Sequence, residues 1–411
     1  MNNAHSAPTR RTTGRLIALQ LEGAGLAEAI AQTWAQGDAV LPLSPTLPDE
    51  SLRPLLARLH PAALVSAGHR RELPDPEPVP GEVAAVMLTS GTTGAPKGVE
   101  LTHAALRASA EMVSARLGVE PGDRWLACVP LHRIAGVAIL ARSAVIGAQP
   151  VVHSRFTVAG VAREGEANLV SVVPTMLVRL LDAGVDLARW RRVLVGGGAL
   201  RPDLLERARA AGAQVVTTYG MTETCGGCVF DGRPLDGVEV AVGRAGDISI
   251  GGPVLMRAYR SDPELTAATL RDGRLRTADL GRWDGDGRLE ILGRADDAIV
   301  TGGAKVWPAP VAKRLAEHPL VAEAAVVGEP DPEWGERVVA LVVPVNFGSP
   351  PSLQELRTWV AARLERYNAP LAIEILASLP EAVPDEAGAP TEPNSGAGGQ
   401  SHYPGSVSQL R

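Results

Sequence analysis

Aromatic side chains make up only 3% of the 411 residues: seven Trp, four Tyr and three Phe. That is too few for the stacking platforms of single-strand nucleic-acid binders. Positive charge is not in excess either. The formal net charge of −6 argues against a footprint on a phosphate backbone, and no nucleic-acid partner is expected. Cysteine occurs three times, and an odd number in a long chain points away from a disulfide framework. There is no uninterrupted run of about 20 apolar residues of the kind that spans a bilayer, so no stable membrane insertion is expected. Residues 1–15 are polar, carry Arg10, Arg11 and Arg15, and contain no apolar signal core. The expected location is the cytoplasm. Lysine is equally scarce, at Lys97, Lys305 and Lys313.

What is present describes an ordinary globular protein, 45% hydrophobic and 21% charged, long enough for two or three domains with sizeable cores. The stretch from Met87 to Val99 stands out. An apolar run from Val83 to Leu88 reads as a buried strand of a parallel sheet. It ends in Thr89, Ser90, Gly91, Thr92, Thr93 and Gly94, followed by Lys97. Backbone N–H groups of a glycine-rich turn can form an anion-binding nest, and hydroxyls and a lysine add donors. This suits a polyphosphate, although an ordinary glycine-rich connection is the plain alternative. It is not a Walker A loop, because Lys97 precedes Gly98 rather than Ser or Thr.

Strands are expected at 39–41, 63–65, 124–129, 149–152, 169–173, 192–195 and 215–218. Helices are expected at 48–60, disturbed by Pro54, and at 102–117 with Thr102 as its cap. Further helices are expected at 136–146, 174–181 and 202–211. The alternation implies right-handed βαβ units and a mainly parallel sheet, an α/β fold. From Gly237 short strands separated by glycine turns indicate a β-rich part. Past Arg294 a small α+β unit follows. From Glu381 the composition of Pro, Gly, Ser and Ala predicts a disordered tail.

Further motifs lie at expected strand ends, where open parallel sheets gather ligands. Tyr219-Gly220-Met221-Thr222-Glu223 offers a hydroxyl and a carboxylate able to hold Mg²⁺ beside phosphate oxygens, or simply a helix cap. Gly196, Gly197 and Gly198 permit close approach of a flat ring, or a tight turn. Asp279 can accept ribose hydroxyls with Arg294 as an added donor, or serve as a turn former. Cys225 and Cys228 form a C-x-x-C pair, read as packing ahead of a redox pair or half of a zinc site.

Together and in this order, the motifs resemble the adenylate-forming superfamily of acyl-CoA synthetases, luciferases and adenylation domains, over residues 40–376. The resemblance implies a large N-terminal domain over 1–293, with mainly parallel sheets flanked by helices and a β-rich subdomain. It implies a hinge at 294–297 and a small mobile α+β domain at 298–380. It assigns ATP phosphates to Thr89–Lys97 and the adenine face to Gly196–Gly198 with Tyr219. Thr222 and Glu223 go to the α-phosphate and Mg²⁺, Asp279 and Arg294 to the ribose, and Asp296 to the hinge. Lys97, Thr222, Glu223 and Asp296 are thus the implied catalytic set, with Mg²⁺ as cofactor and ATP and CoA as co-substrates.

Within the family, Val172-Val173-Pro174-Thr175 and the run after Tyr219, with a short front, resemble the acid–CoA ligases acting on 2-succinylbenzoate in menaquinone synthesis. The implied reaction is formation of an acyl-adenylate, then a CoA thioester. His132 and Arg133 become candidate substrate residues, Arg133 for a second carboxylate. Other acid specificities stay open, as does a homo-oligomer. A P-loop kinase or ATPase is the reading from another class, separated by release of AMP rather than ADP. Ala278 stands where the family has glycine. The family also closes its small domain with a Gly-Lys pair, whereas no lysine follows Lys313. An adenylate-binding homologue impaired in adenylation is therefore the alternative.

Overall fold

The computed structural model describes residues 12–89 and 96–379, and of Asp296 it describes the backbone alone. The expected disordered tail and the expected phosphate-loop residues Ser90, Gly91, Thr92, Thr93 and Gly94 lie outside the described residues.

The first seven-stranded sheet runs in the order Ala258–Tyr259, Lys97–Thr102, Val83–Thr89, Ala39–Pro42, Leu16–Gln20, Ala63–Ser66 and His69–Glu72. Its centre is parallel and its two edges antiparallel. The second orders Gln149–Val152, Arg124–Ala127, Leu169–Val172, Arg192–Val195 and Val215–Met221 in parallel, then adds Gly226–Phe230 and Arg233–Pro234 antiparallel. The inner parallel strands Arg124–Ala127, Leu169–Val172 and Arg192–Val195 are largely buried, which is why they read as short apolar runs rather than alternating ones. A third sheet is antiparallel, with the long strand Arg274–Trp283 at its middle. One core cluster, including Val40, Met87, Trp125, Phe230 and Ile250, joins these three sheets. A separate core, among it Ile299, Leu315, Val338 and Leu356, holds the C-terminal α+β unit. There Gly335–Pro344 pairs with Ile299–Thr301, Val321–Asp331 and Ala372–Ile375.

Several elements differ from the sequence expectation. Helix Asp49–Leu59 passes through Pro54 without a break. Pro54 lies on the exposed face beside Arg53, so the carbonyl it leaves unpaired can meet water. Leu16–Gln20 and helix Gly23–Ala35 went unpredicted. Lys97 opens a strand, Lys97–Thr102, rather than lying within a loop. Its alternation is obscured because Gly98, Val99, Glu100 and Leu101 are all buried. Strand Val215–Met221 also continues through Tyr219 instead of ending before it.

Candidate active site

Among the described site residues, Thr89 and Arg294 end their strands, Lys97 opens one, and Gly196–Gly198, Thr222 and Glu223 follow strand ends. Tyr219 instead lies inside Val215–Met221, and Asp279 lies in the middle of Arg274–Trp283 rather than in a turn. Thr89 closes its strand directly opposite Lys97 in the antiparallel ladder, so the register fixes where the intervening segment leaves and rejoins the sheet. The Lys97 ammonium stands 5.7 Å from the ring centroid of Tyr259, a cation–π distance.

Gly196, Gly197 and Gly198 turn away after strand Arg192–Val195. The Gly196 N–H donates to the Val172 carbonyl at 3.2 Å. A Cβ on Gly196 would stand 2.6 Å from Thr218 Cγ2, and Gly197 has φ +76°. The turn therefore lies against the strand one residue before Tyr219, and only glycine fits that approach. The Tyr219 hydroxyl donates to Asp279 Oδ2 at 2.7 Å. Burial first, and then the Asp279 charge, raise its phenol above the ordinary range, so it stays a donor. Asp279 and Arg294 face each other across two strands, with Arg294 Nη1 3.7 Å from Asp279 Oδ1. The sequence-predicted ring and ribose residues are thus brought together. Arg294 passes straight into the turn Ala295–Asp297, which contains the proposed hinge residue Asp296.

Thr222 and Glu223 lie in the single 3₁₀ turn Thr222–Thr224. Thr224 fastens that turn: its hydroxyl accepts from Met221 N–H at 3.0 Å and donates to the Gly226 carbonyl at 2.8 Å. Glu223 Oε1 accepts a 2.8 Å hydrogen bond from the Tyr259 hydroxyl. Its backbone carbonyl accepts from Met256 N–H, also at 2.8 Å. Burial and the Glu223 charge raise the Tyr259 phenol as well. Among the described residues, Glu223 Oε2 has no hydrogen-bond partner. Nucleotide-carried Mg²⁺ is usually met by one or two carboxylates beside the phosphates. An oxygen with no partner among the described residues fits that role.

His132 and Arg133 form the turn before helix Ile134–Ile146. The first turn of that helix lies against the strand that follows the Thr222–Thr224 turn, since a Cβ on Gly226 would stand 3.8 Å from Ile134. Burial, with Arg133 adding to it, pushes the His132 imidazole down to about 4, so it is neutral at physiological pH. Cys225 and Cys228 are both free and buried. Burial pushes both thiols up, that of Cys228 to about 12, which leaves them as packing groups rather than nucleophiles. No cluster of three or more His, Cys, Asp or Glu poised for a metal occurs among the described residues. The zinc reading of the pair therefore finds no further ligands there.

Sequence reasoning missed the segment that supports Glu223. Tyr259 lies in the edge strand Ala258–Tyr259, paired with Val99. On either side of it, Arg257 and Arg260 hold the buried Glu100 at 2.8 and 3.4 Å. Arg260 also donates to the carbonyls of Leu59 at 2.7 Å and Glu77 at 2.8 Å. The available signal was scarcity: Tyr259 is one of four tyrosines in the chain.

Known proteins share this fold. The AMP-binding enzyme family matches residues 62–260, and the AMP-binding enzyme C-terminal domain matches residues 311–383. A probable 2-succinylbenzoate–CoA ligase of Mycobacterium tuberculosis is 44% identical over 317 residues, which cover 74% of this chain and 82% of that one. The o-succinylbenzoate CoA synthetase of Bacillus subtilis, solved with the acyl-adenylate intermediate OSB-AMP, superposes with a TM-score of 0.75 at 30% identity. That match covers 89% of this chain and 85% of that one. The same enzyme solved with ATP and magnesium ion gives a TM-score of 0.74 at 30% identity, covering 90% and 87%. With both domain families in order and a relative this similar over most of its length, the chain belongs to the AMP-binding enzyme family.

Proposed function

We propose that this protein is an ATP-dependent acid–CoA ligase that converts 2-succinylbenzoate to its acyl-adenylate and then to 2-succinylbenzoyl-CoA, in menaquinone synthesis. The observation that carries the reading is the pair of tyrosine-held carboxylates, one in the turn Thr222–Thr224 and one on strand Arg274–Trp283. Glu223 is held by Tyr259, with Lys97 against the same ring, and Asp279 is held by Tyr219. One carboxylate is suited to the phosphate side of a nucleotide and the other to its sugar. The names of the similar ligases supply the acid and the thiol.

In this reading the substrate carboxylate attacks the α-phosphorus in line, the bond from that phosphorus to the bridging oxygen breaks, and pyrophosphate leaves. Lys97, with the polyphosphate loop, stabilises charge growing on the departing phosphates. Thr222 lies beside the α-phosphate. Mg²⁺, when bound with the nucleotide, withdraws further charge from those oxygens. Glu223, its Oε1 taken by Tyr259, would hold the ion through Oε2. Asp279 and Arg294 orient the ribose, and the turn Gly196–Gly198 with Tyr219 receives the adenine. Neutral His132 and cationic Arg133 face the acid, Arg133 matching its second carboxylate. A rotation about 294–297 then presents a second face of the C-terminal unit, around Thr301 to Lys305, for attack of the CoA thiol on the acyl carbonyl and loss of AMP.

Two assays test this. ATP–pyrophosphate exchange should depend on 2-succinylbenzoate, and synthetic acyl-adenylate with CoA should give the thioester and release AMP. Equal turnover of simple aryl or short fatty acids would overturn the acid assignment. ADP release would overturn the reaction class.

A further inference from the structure

The segment Met256–Arg260 grips Glu223 twice. Met256 N–H donates to the Glu223 backbone carbonyl and, three residues on, the Tyr259 hydroxyl donates to Glu223 Oε1, both at 2.8 Å. The segment is itself immobilised. Ala258 and Tyr259 pair with Glu100 and Val99, and the Tyr259 N–H donates to Thr266 Oγ1 at 2.9 Å. Arg260, 7% exposed, is locked to Leu59, Glu77 and Glu100. Tyr259, also 7% exposed, has the Lys97 ammonium 5.7 Å from its ring centre. One rigid side chain thus touches the proposed metal carboxylate with its hydroxyl and the phosphate-loop cation with its ring.

We infer that Tyr259 is a positioning residue that fixes Glu223 with Oε2 toward the nucleotide metal and holds Lys97 at the polyphosphate side, coupling the two. The inference rests on the proposed role of Glu223 and Lys97 as phosphate-side groups. The physical reason is orientation. A carboxylate with one oxygen committed to a fixed donor presents its other oxygen in one direction, and partners of this kind tune metal affinity strongly. The hydroxyl and the ring act on different ligands, so they are separable by substitution.

The test is ATP binding to the full chain by titration calorimetry at stepped Mg²⁺ concentrations, without acid substrate. Mg²⁺-dependent ATP binding by the unsubstituted protein establishes the underlying reading, and its absence overturns that reading. Given such binding, Tyr259→Phe should raise the half-saturating Mg²⁺ on the order of tenfold and leave Mg²⁺-free ATP affinity unchanged, because the ring under Lys97 remains. Tyr259→Leu should weaken Mg²⁺-free ATP affinity as well. Adding Tyr259→Phe to Glu223→Gln should give no further Mg²⁺ shift, since the two lie on one path. A Mg²⁺ midpoint for Tyr259→Phe within about twofold of the unsubstituted protein, or fully additive shifts in the double variant, would overturn the inference.

Discussion

Tyr219 reaches across from the second sheet to the third and places its hydroxyl 2.7 Å from Asp279 Oδ2. The bond fixes the distance between the residue proposed to receive the adenine and the residue proposed to hold the ribose. Hydrogen bonds to a charged partner contribute about 1.5–3 kcal/mol. Tyr219→Phe keeps the ring but frees the carboxylate, so the KM for ATP should rise roughly tenfold with a smaller change in kcat. Steady-state kinetics at saturating acid and CoA measure this, and an unchanged KM would remove the orienting role.

Lys97 carries the second prediction. It heads a strand and makes its contact through the Tyr259 ring, so its loss should spare the fold. Removing a donor from developing phosphate charge costs on the order of 10²–10³ in rate. Lys97→Ala should therefore abolish acid-dependent ATP–pyrophosphate exchange while the urea midpoint stays put. Near-normal exchange would sink the role.

His132 makes stability depend on pH in a defined window. Its folded pKa is lowered from 6.5 to about 4, so as pH falls the unfolded chain takes up the proton first. The stability from burying the neutral ring is complete above pH 6.5, erodes between there and about 4, and is flat below. Allowing for its partial exposure, the loss is on the order of 2 kcal/mol. Urea melts at pH 7.5 and 4.5 should show that loss, and His132→Gln should lessen it.

Arg133 precedes its helix without a side-chain cap bond, so Arg133→Ala should cost little stability. If its guanidinium meets the second carboxylate of the acid, the KM for 2-succinylbenzoate should rise about tenfold and that for ATP should not. An unchanged acid KM would end the assignment.

Glu100 is buried beneath two arginines. Breaking a buried ion pair by removing one member leaves an uncompensated charge and costs about 3–5 kcal/mol. Glu100→Ala should lower stability by that amount in denaturant melts. It should also raise the Mg²⁺ requirement, because the same arginines flank Tyr259.

Much of this was legible in the sequence. Strands Gln149–Val152 and Arg192–Val195 were read to the residue, because short β-branched and apolar runs bounded by turn signals mark strands. Thr102 was read as a helix cap, and its hydroxyl does accept from Ala105 N–H at 3.0 Å. Thr89, Lys97, Glu223, Asp279 and Arg294 were singled out as polar residues after apolar runs, and the structure sets Thr89 opposite Lys97 and Asp279 beside Arg294. What escaped depends on long-range partners. A buried glutamate in a strand looks like a solvated one until Arg257 and Arg260 arrive from far along the chain. For the same reason Tyr259 reads as a core tyrosine until its hydroxyl is seen against Glu223.

The edge strand Ala258–Tyr259 also has a consequence in time. Its anchor Arg260 lies 160 residues after Glu100 and 201 after Leu59. At a synthesis rate of about 5–20 residues per second, the interval between making Glu100 and making Arg260 is roughly 8–30 s. Until then Lys97–Thr102 has its outer edge uncovered and its buried acid unneutralised. The nascent chain should therefore be most open to mispairing and chaperone capture during that interval, and the phosphate side of the site should be the last part of the N-terminal sheet to set.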